Sequence, residues 1–208
     1  MIRIYLPEGQ KLLSEQVHYI NNVMRKSKAD YIQCFNENGE WLCDVSGNRI
    51  KKIREPEIRT NKTIAIGCIK KHRLEILVEK ATEIGVTHLQ LLTTTYSQRV
   101  NYDFPRLRRI SIEAAEQSGW LEPITILPAI SLETFLNKNR NLNREIAFCH
   151  PGETQDLTSK ISTILIGPEG GWSPEDILQM QELQKVSLGN SILRSETAAM
   201  LAGYLLCN

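Results

Sequence analysis

The order of apolar and polar positions divides the chain into two rhythms. Up to about residue 62 the runs are short: IRIYL alternates apolar and polar positions, and DYIQCF and EWLCDV are strand-like. The turn Asn36-Glu37-Asn38-Gly39 joins the latter two and predicts a hairpin, and a second turn at Ser46-Gly47-Asn48 leads into RIKKI. One helix interrupts them at SEQVHYINNVMR, with Val17, Ile20, Val23 and Met24 on one face and Ser14 as N-cap. Short strands with one helix predict a compact barrel over residues 1–62, closing with the polar, proline-bearing linker REPEIRTNK.

From residue 63 strands and helices alternate. TIAIGCI is a strand, followed by a helix with Leu74, Leu77, Val78, Ala81 and Ile84 on one face and Gly85 as its stop. The pattern continues with strand VTHLQLL, a helix from Pro105 to about Ser118, strand ITIL, helix SLETFLN and strands EIAFC and STILIG. It closes with helix SPEDILQMQEL, strand KVSL and helix SETAAMLAGYLL, whose apolar face suits either a core or an interface. Such alternation predicts an α/β fold over residues 63–208, a mostly parallel sheet with helices on both faces.

Composition agrees with a folded chain and excludes wholesale disorder, since 41% of the 208 residues are hydrophobic and 24% charged. The start, MIRIYLPEGQ, lacks the apolar segment of a signal peptide, and no later run approaches the roughly 18 apolar residues of a membrane span, so a cytoplasmic protein is expected. Cys34, Cys43, Cys68, Cys149 and Cys207 contain no CxxC pair, and His18, His72, His88 and His150 have no ligand spacing; neither a disulfide framework nor a metal site is expected. The net charge of +1 hides a division. Residues 1–110 hold 19 Lys and Arg against 12 Asp and Glu, and residues 111–208 hold 6 against 12, giving +7 and −6. An anionic partner should prefer the first half.

Two loops concentrate the chemistry. Ile166-Gly167-Pro168-Glu169-Gly170-Gly171-Trp172-Ser173-Pro174 leaves a strand, passes through a glycine-rich turn and enters a helix with Ser173 as N-cap and Pro174 at its first position. It can present backbone N–H groups to a ligand at the carboxyl end of a strand, or it is simply a strand-to-helix turn. It lacks the lysine of a phosphate loop and the GxGxxG spacing of a dinucleotide fold. In the second loop, Ser187-Leu188-Gly189-Asn190-Ser191-Ile192-Leu193-Arg194-Ser195-Glu196-Thr197-Ala198, Ser195 is the expected N-cap and Glu196 complements the helix dipole. Arg194 puts a cation where a helix start favours an anion, which suits an anionic partner or a developing oxyanion.

These residues carry a family resemblance. IGPEGGWSPEDI followed by VSLGNSILRSETAAMLAGYLL resembles the ribosomal RNA methyltransferases that modify uridine N3 in small-subunit rRNA, a branch of the SPOUT class. Lys80-Ala81-Thr82-Glu83-Ile84-Gly85-Val86, then Arg109 with Glu113-Ala114-Ala115-Glu116-Gln117-Ser118 and Pro123, resemble that family's middle motifs, and Val23-Met24-Arg25 its N-terminal one. The resemblance implies a PUA-like RNA-binding β-barrel at 1–62 and, at 63–208, an α/β domain with a deep trefoil knot, working as a homodimer. It implies an S-adenosylmethionine site at Ile166, Gly167, Pro168, Glu169, Gly170, Gly171, Leu188, Gly189, Ile192, Leu193, Arg194, Thr197 and Ala198. The 16S rRNA of the small ribosomal subunit would then be held by Arg25, Arg49, Lys51, Lys52, Arg54, Lys71, Arg73, Arg109, Gln117 and Trp120. Trp120 and Ser191 stand where the family commonly has arginine; Trp120 is read either as a stacking platform or as a packing residue.

Methyl transfer to uracil N3 needs a flipped or unpaired base, loss of the N3 proton and stabilisation of the charge that spreads onto the uracil oxygens. Arg194 is the expected charge stabiliser, and Glu169, Glu196 and Glu116 are candidates for proton acceptor or for structural roles. A non-catalytic RNA-binding or ribosome-assembly protein of the same fold is the alternative, and a nucleotide-dependent transferase a third reading.

Overall fold

The structure, a computed structural model, describes residues 1–27, 29–140, 145–152 and 160–208. They form two compact units, residues 1–59 with 112–123 and residues 60–111 with 124–208. The first unit holds β1 (Arg3–Tyr5), α1 (Ser14–His18), β2 (Tyr31–Asn36), β3 (Gly39–Asp44) and β4 (Arg49–Arg54). Its strands make a sheet in the order β1-β2-β3-β4, parallel at the first pair and antiparallel at the other two. The expected hairpin is present as β2 and β3, with Asn36 opposite Gly39. Ile4, Leu6, Ile20, Ile32, Cys34 and Cys43 pack into a core beside it.

The helix departs from the expected pattern in two ways. Leu13 rather than Ser14 is the N-cap, its N–H met by the Gln16 side chain at 2.9 Å. From Tyr19 to Val23 the backbone winds as a π-turn, and the wider winding rotates later residues off the apolar face. Ile20 is buried, whereas Val23 and Met24 are exposed.

The segment 112–123 follows the first unit, although its pattern reads as part of the α/β half. It contains the end of α3 (Phe104–Ser118), whose last carbonyls have no partners within the helix. Two arginines supply them. Arg3 donates to the carbonyls of Ala115, Gly119 and Trp120, pairs with Glu40 at 2.7 Å and lies 3.6 Å over the Phe35 ring. Arg54 donates to the Gly119 carbonyl at 2.6 Å. Phe35, Ala115 and Leu121 form a small core there, with Tyr5 and Trp120 against it.

The second unit is a six-stranded sheet of β5 (Thr63–Gly67), β6 (His88–Thr93), β7 (Thr125–Ser131), β8 (Ile146–Cys149), β9 (Thr163–Ile166) and β10 (Gln184–Val186). The order is β10-β8-β9-β5-β6-β7 and every pair is parallel. Central strands β5 and β9 are buried along their whole length, as a sheet covered on both faces requires. One face carries Ile64, Ile66, Leu89, Leu91 and Ile164 under α2 (Lys71–Ile84) and α6 (Ser195–Cys207). The other carries Ala65, Leu92, Phe148 and Leu165 against Leu132, Phe135 and Leu136 of α4 (Leu132–Arg140). Helix α2 ends where expected, at Gly85 with φ 100°. Helix α5 (Pro174–Gln179) stops short of its predicted length, and β7 runs past the predicted ITIL.

Glu116, in the first unit, accepts the Tyr5 N–H at 2.9 Å, and burial pushes its carboxyl above the ordinary 4.5. The folded chain therefore holds this proton more tightly than the unfolded one. Its contribution to stability is complete below 4.5 and is lost as pH rises through the raised folded value. Glu116→Gln, which keeps an acceptor for Tyr5, should flatten that part of the curve. Thermal unfolding followed across the acidic range checks this; a curve unchanged by the substitution would remove Glu116 as its source.

Candidate functional site

The carboxyl ends of β8, β9 and β10 open into a pocket of about 340 Å³. Chain leaving β9 makes its floor: Ile166, Gly167 and Pro168 line it, and the turn closes with the Gly171 N–H donating to the Pro168 carbonyl at 2.9 Å. Gly170 faces away, against Tyr96, where an added Cβ would lie only 2.8 Å from the Tyr96 Cβ; no larger residue fits without displacing the loop. The helix that follows is capped as expected. Ser173 Oγ accepts the Asp176 N–H at 3.1 Å and the Asp176 carboxylate accepts the Ser173 N–H at 3.0 Å. Thr95 joins this pair, bonding Ser173 Oγ at 3.0 Å and Asp176 Oδ1 at 3.2 Å, so a buried carboxylate becomes the anchor of the glycine loop.

The second loop forms the opposite wall with Val186, Ser187, Leu188, Gly189, Ser191 and Leu193, and α6 adds Ser195 and Ala198. Here the cap differs from expectation: Arg194, not Ser195, is the N-cap of α6, and no side chain caps it. Ser195 is thus the first helical residue and turns inward, while Arg194 is exposed and has no partner among the described residues. Sequence reasoning missed Cys149, His150 and Pro151, which complete the wall from β8. Only the strand order, which puts β8 between β9 and β10, reveals them. It also missed Trp172, whose indole N–H donates to the Cys149 carbonyl at 3.0 Å. Burial pushes the Cys149 thiol up to about 12, so it lines the pocket as an apolar group and not as a thiolate.

Of the residues expected at the cofactor, Ile166, Gly167, Pro168, Gly171, Leu188, Gly189, Leu193 and Ala198 line the pocket. Glu169, Gly170, Ile192, Arg194 and Thr197 do not; Ile192 is 88% exposed. Glu169 and Glu196 are drawn together by a third residue, Arg73. Its Nη1 lies 3.6 Å from Glu169 Oε1 and 3.5 Å from Glu196 Oε2, with the three side chains between 11% and 20% exposed. The Lys70 N–H also reaches Glu169 Oε1, at 3.3 Å. One guanidinium from the start of α2 therefore ties the glycine loop to the start of α6.

That geometry changes the reading of Arg73, expected at RNA: its guanidinium is turned inward onto two carboxylates. Lys71 and Arg109 of the same unit are exposed, as are Arg25, Lys51 and Gln117 of the first unit. Arg49 stacks 3.7 Å over the Trp41 ring and pairs with Glu8, Lys52 pairs with Glu55, and Arg54 pairs with Glu57, so part of the positive charge of β4 is already balanced. Trp120 packs on the small core of Phe35 and Leu121, and the Arg59 guanidinium covers its ring at 4.3 Å. Glu116 belongs to the first unit and bonds the β1 backbone.

A pocket under two loops at the carboxyl ends of a parallel sheet is where open α/β folds hold small ligands, and residues 56–206 match the family described as RNA methyltransferase domain. Ribosomal RNA small subunit methyltransferase E of Rickettsia conorii is 31% identical over 96% of this chain and 92% of its own, and the Bacillus subtilis protein of the same name is 27% identical over 92% and 86%. The crystal structure of a ribosomal RNA small subunit methyltransferase E from Neisseria gonorrhoeae bound to S-adenosyl methionine superposes with a TM-score of 0.78 at 25% identity, over 98% of this chain and 95% of that one. The chain belongs to the ribosomal RNA small subunit methyltransferase E family.

Arg73→Met should leave two adjacent carboxylates without their cation and cost about 1–3 kcal/mol of stability. Arg73→Lys should restore part of it, since a lysine offers a single point charge in place of a fork. Thermal unfolding of the two variants measures both; equal melting of wild type and Arg73→Met would show that the pairs contribute nothing.

Proposed function

We propose that this protein transfers the methyl group of S-adenosylmethionine to N3 of a specific uridine in the 16S rRNA of the small ribosomal subunit, in the cytoplasm. The observation that carries the reading is the pocket formed by the two loops, with the Arg194 cation, unpartnered among the described residues, at the start of α6 beside it. The lining fits the cofactor: no Asp, Glu, Lys or Arg is among its described residues, its walls are largely apolar, and turn backbone supplies polar groups for a nucleoside. When bound, the cofactor supplies an electrophilic methyl group on a positively charged sulfur.

The remaining work falls to the chain. The apolar walls exclude water and align the cofactor. Arg194 aims its guanidinium at the uracil oxygens as the N3 proton passes to solvent water and N3 takes the methyl group, its bond to sulfur breaking; being exposed, it meets a base brought in from solvent. Glu169 and Glu196 act as structural anions that hold Arg73 and with it the two loops. The four-stranded unit, with its exposed cationic strand β4, supports a PUA-like RNA grip. Helix α6 returns to pack on β5 and β9 in the middle of the sheet, an arrangement compatible with the family's trefoil knot. Leu201, Tyr204 and Leu205 of α6 are exposed and support a homodimer through that face.

Mass spectrometry of rRNA from cells lacking the protein should show the loss of one N3-methyluridine; loss of a different methylated base would overturn the substrate. Arg194→Ala should lower turnover by about 10²–10³-fold while cofactor affinity, measured by calorimetry, stays within a few-fold. Weakened cofactor binding with unchanged turnover would move Arg194 into a binding role.

A further inference from the structure

The sheet face beneath α4 breaks the rule that a doubly covered parallel sheet is apolar on both sides. Thr163, Thr63 and His88 stand side by side in register on β9, β5 and β6, and Gln90 follows two residues along β6, beside Ala65 and Leu165. These polar side chains floor a cavity of about 440 Å³ at the amino ends of the strands, opposite the end that carries the cofactor pocket. Phe135 supplies an aromatic wall, and Lys138 is the one Lys, Arg, Asp or Glu of the lining among the described residues.

Three polar groups on largely buried residues face this cavity with no hydrogen-bond partner among the described residues. Gln90 Nε2 donates to the carbonyls of Leu91 at 2.8 Å and Pro128 at 2.7 Å, where a register shift between β6 and β7 loosens the ladder. Both amide hydrogens are thereby committed, which fixes the amide and leaves its oxygen without a donor, in a residue 6% exposed. The hydroxyls of Thr63 and Thr163, residues 8% and 2% exposed, are likewise unpaired. Opening onto the cavity, these groups can engage an occupant that both donates and accepts hydrogen bonds. Lys138, exposed and without an ion pair among the described residues, adds a preference for an anion. The ring of Phe135 and the apolar residues around it favour a flat heterocycle, and the volume suits a single nucleotide.

We propose that this cavity binds one nucleoside monophosphate unit, the edge of its base on Gln90, Thr63 and Thr163 and its phosphate at Lys138. The unit arrives either as a free nucleotide or as one residue of an RNA strand. The full chain, first saturated with S-adenosylmethionine to block the other pocket, is titrated by calorimetry with uridine 5′-monophosphate and, separately, with a short single-stranded RNA containing uridine. At least one probe should bind saturably at millimolar concentration or tighter. Thr163→Val, which keeps the shape and removes the hydroxyl, and Lys138→Ala should each weaken it about tenfold with cofactor affinity unchanged. Tighter binding of the free nucleotide identifies a small-molecule site, and tighter binding of the strand an RNA subsite. No saturable binding of either probe, or binding that neither substitution alters, overturns the proposal. A failure of the cofactor to bind would show at the saturation step and bears on the proposed function, not on this cavity.

Discussion

A parallel sheet has no face that can be left to water, and the second unit is organised around that requirement. Strands β5 and β9 are buried from end to end, so both of their faces must be covered by elements that lie far apart in the sequence. Helices α2 and α6 cover one face and α4 the other, which leaves the strand ends as the openings. At the carboxyl ends, the turns that follow three neighbouring strands converge on one pocket. The site is therefore a by-product of coverage, sharpened by the Asp176 anchor under one loop and the Arg73 guanidinium between the two.

Much of this was legible because periodicity reports burial. The runs TIAIGCI and STILIG read as buried strands, and the helix of Leu74, Leu77, Val78 and Ala81 keeps its face until Gly85 ends it. What misled was local chemistry with two solutions. Ser14 and Ser195 are good caps by type, yet each is the first helical residue, with Leu13 and Arg194 before them. A π-turn inside SEQVHYINNVMR leaves no mark that periodicity can detect, and it puts Met24 in solvent. At the site, glycine spacing exposed both loops, whereas Cys149, His150 and Pro151 are unremarkable as residues and acquire a role only through strand order.

Charge counts were informative about sign and poor on availability. Within the positive half, Arg3 serves helix carbonyls, Arg73 serves two carboxylates, Arg106 pairs with Glu75, and Lys80 pairs with Glu79 and Glu83. At least eight of the 19 Lys and Arg in that half are held in ion pairs among the described residues, so the cations open to a partner, such as Lys51, Lys71 and Arg109, are fewer than the raw count suggests. An arginine near a loop carries one meaning when its reach includes Glu169 and Glu196 and another when, like Arg194, it stands in solvent.

The first unit is stitched from two stretches of chain, and the order of synthesis gives that fact a consequence. Domains generally fold as units from the N-terminus while the chain is still being made. Here the four strands are available early, but the Arg3 guanidinium must wait for the carbonyls of Gly119 and Trp120, and Phe35 must wait for Ala115 and Leu121. Until then a buried-to-be arginine and an aromatic ring stay exposed on a nascent sheet. The N-terminal module is therefore a late finisher: its last layer arrives only after β5, α2 and β6 of the other unit have already left the ribosome.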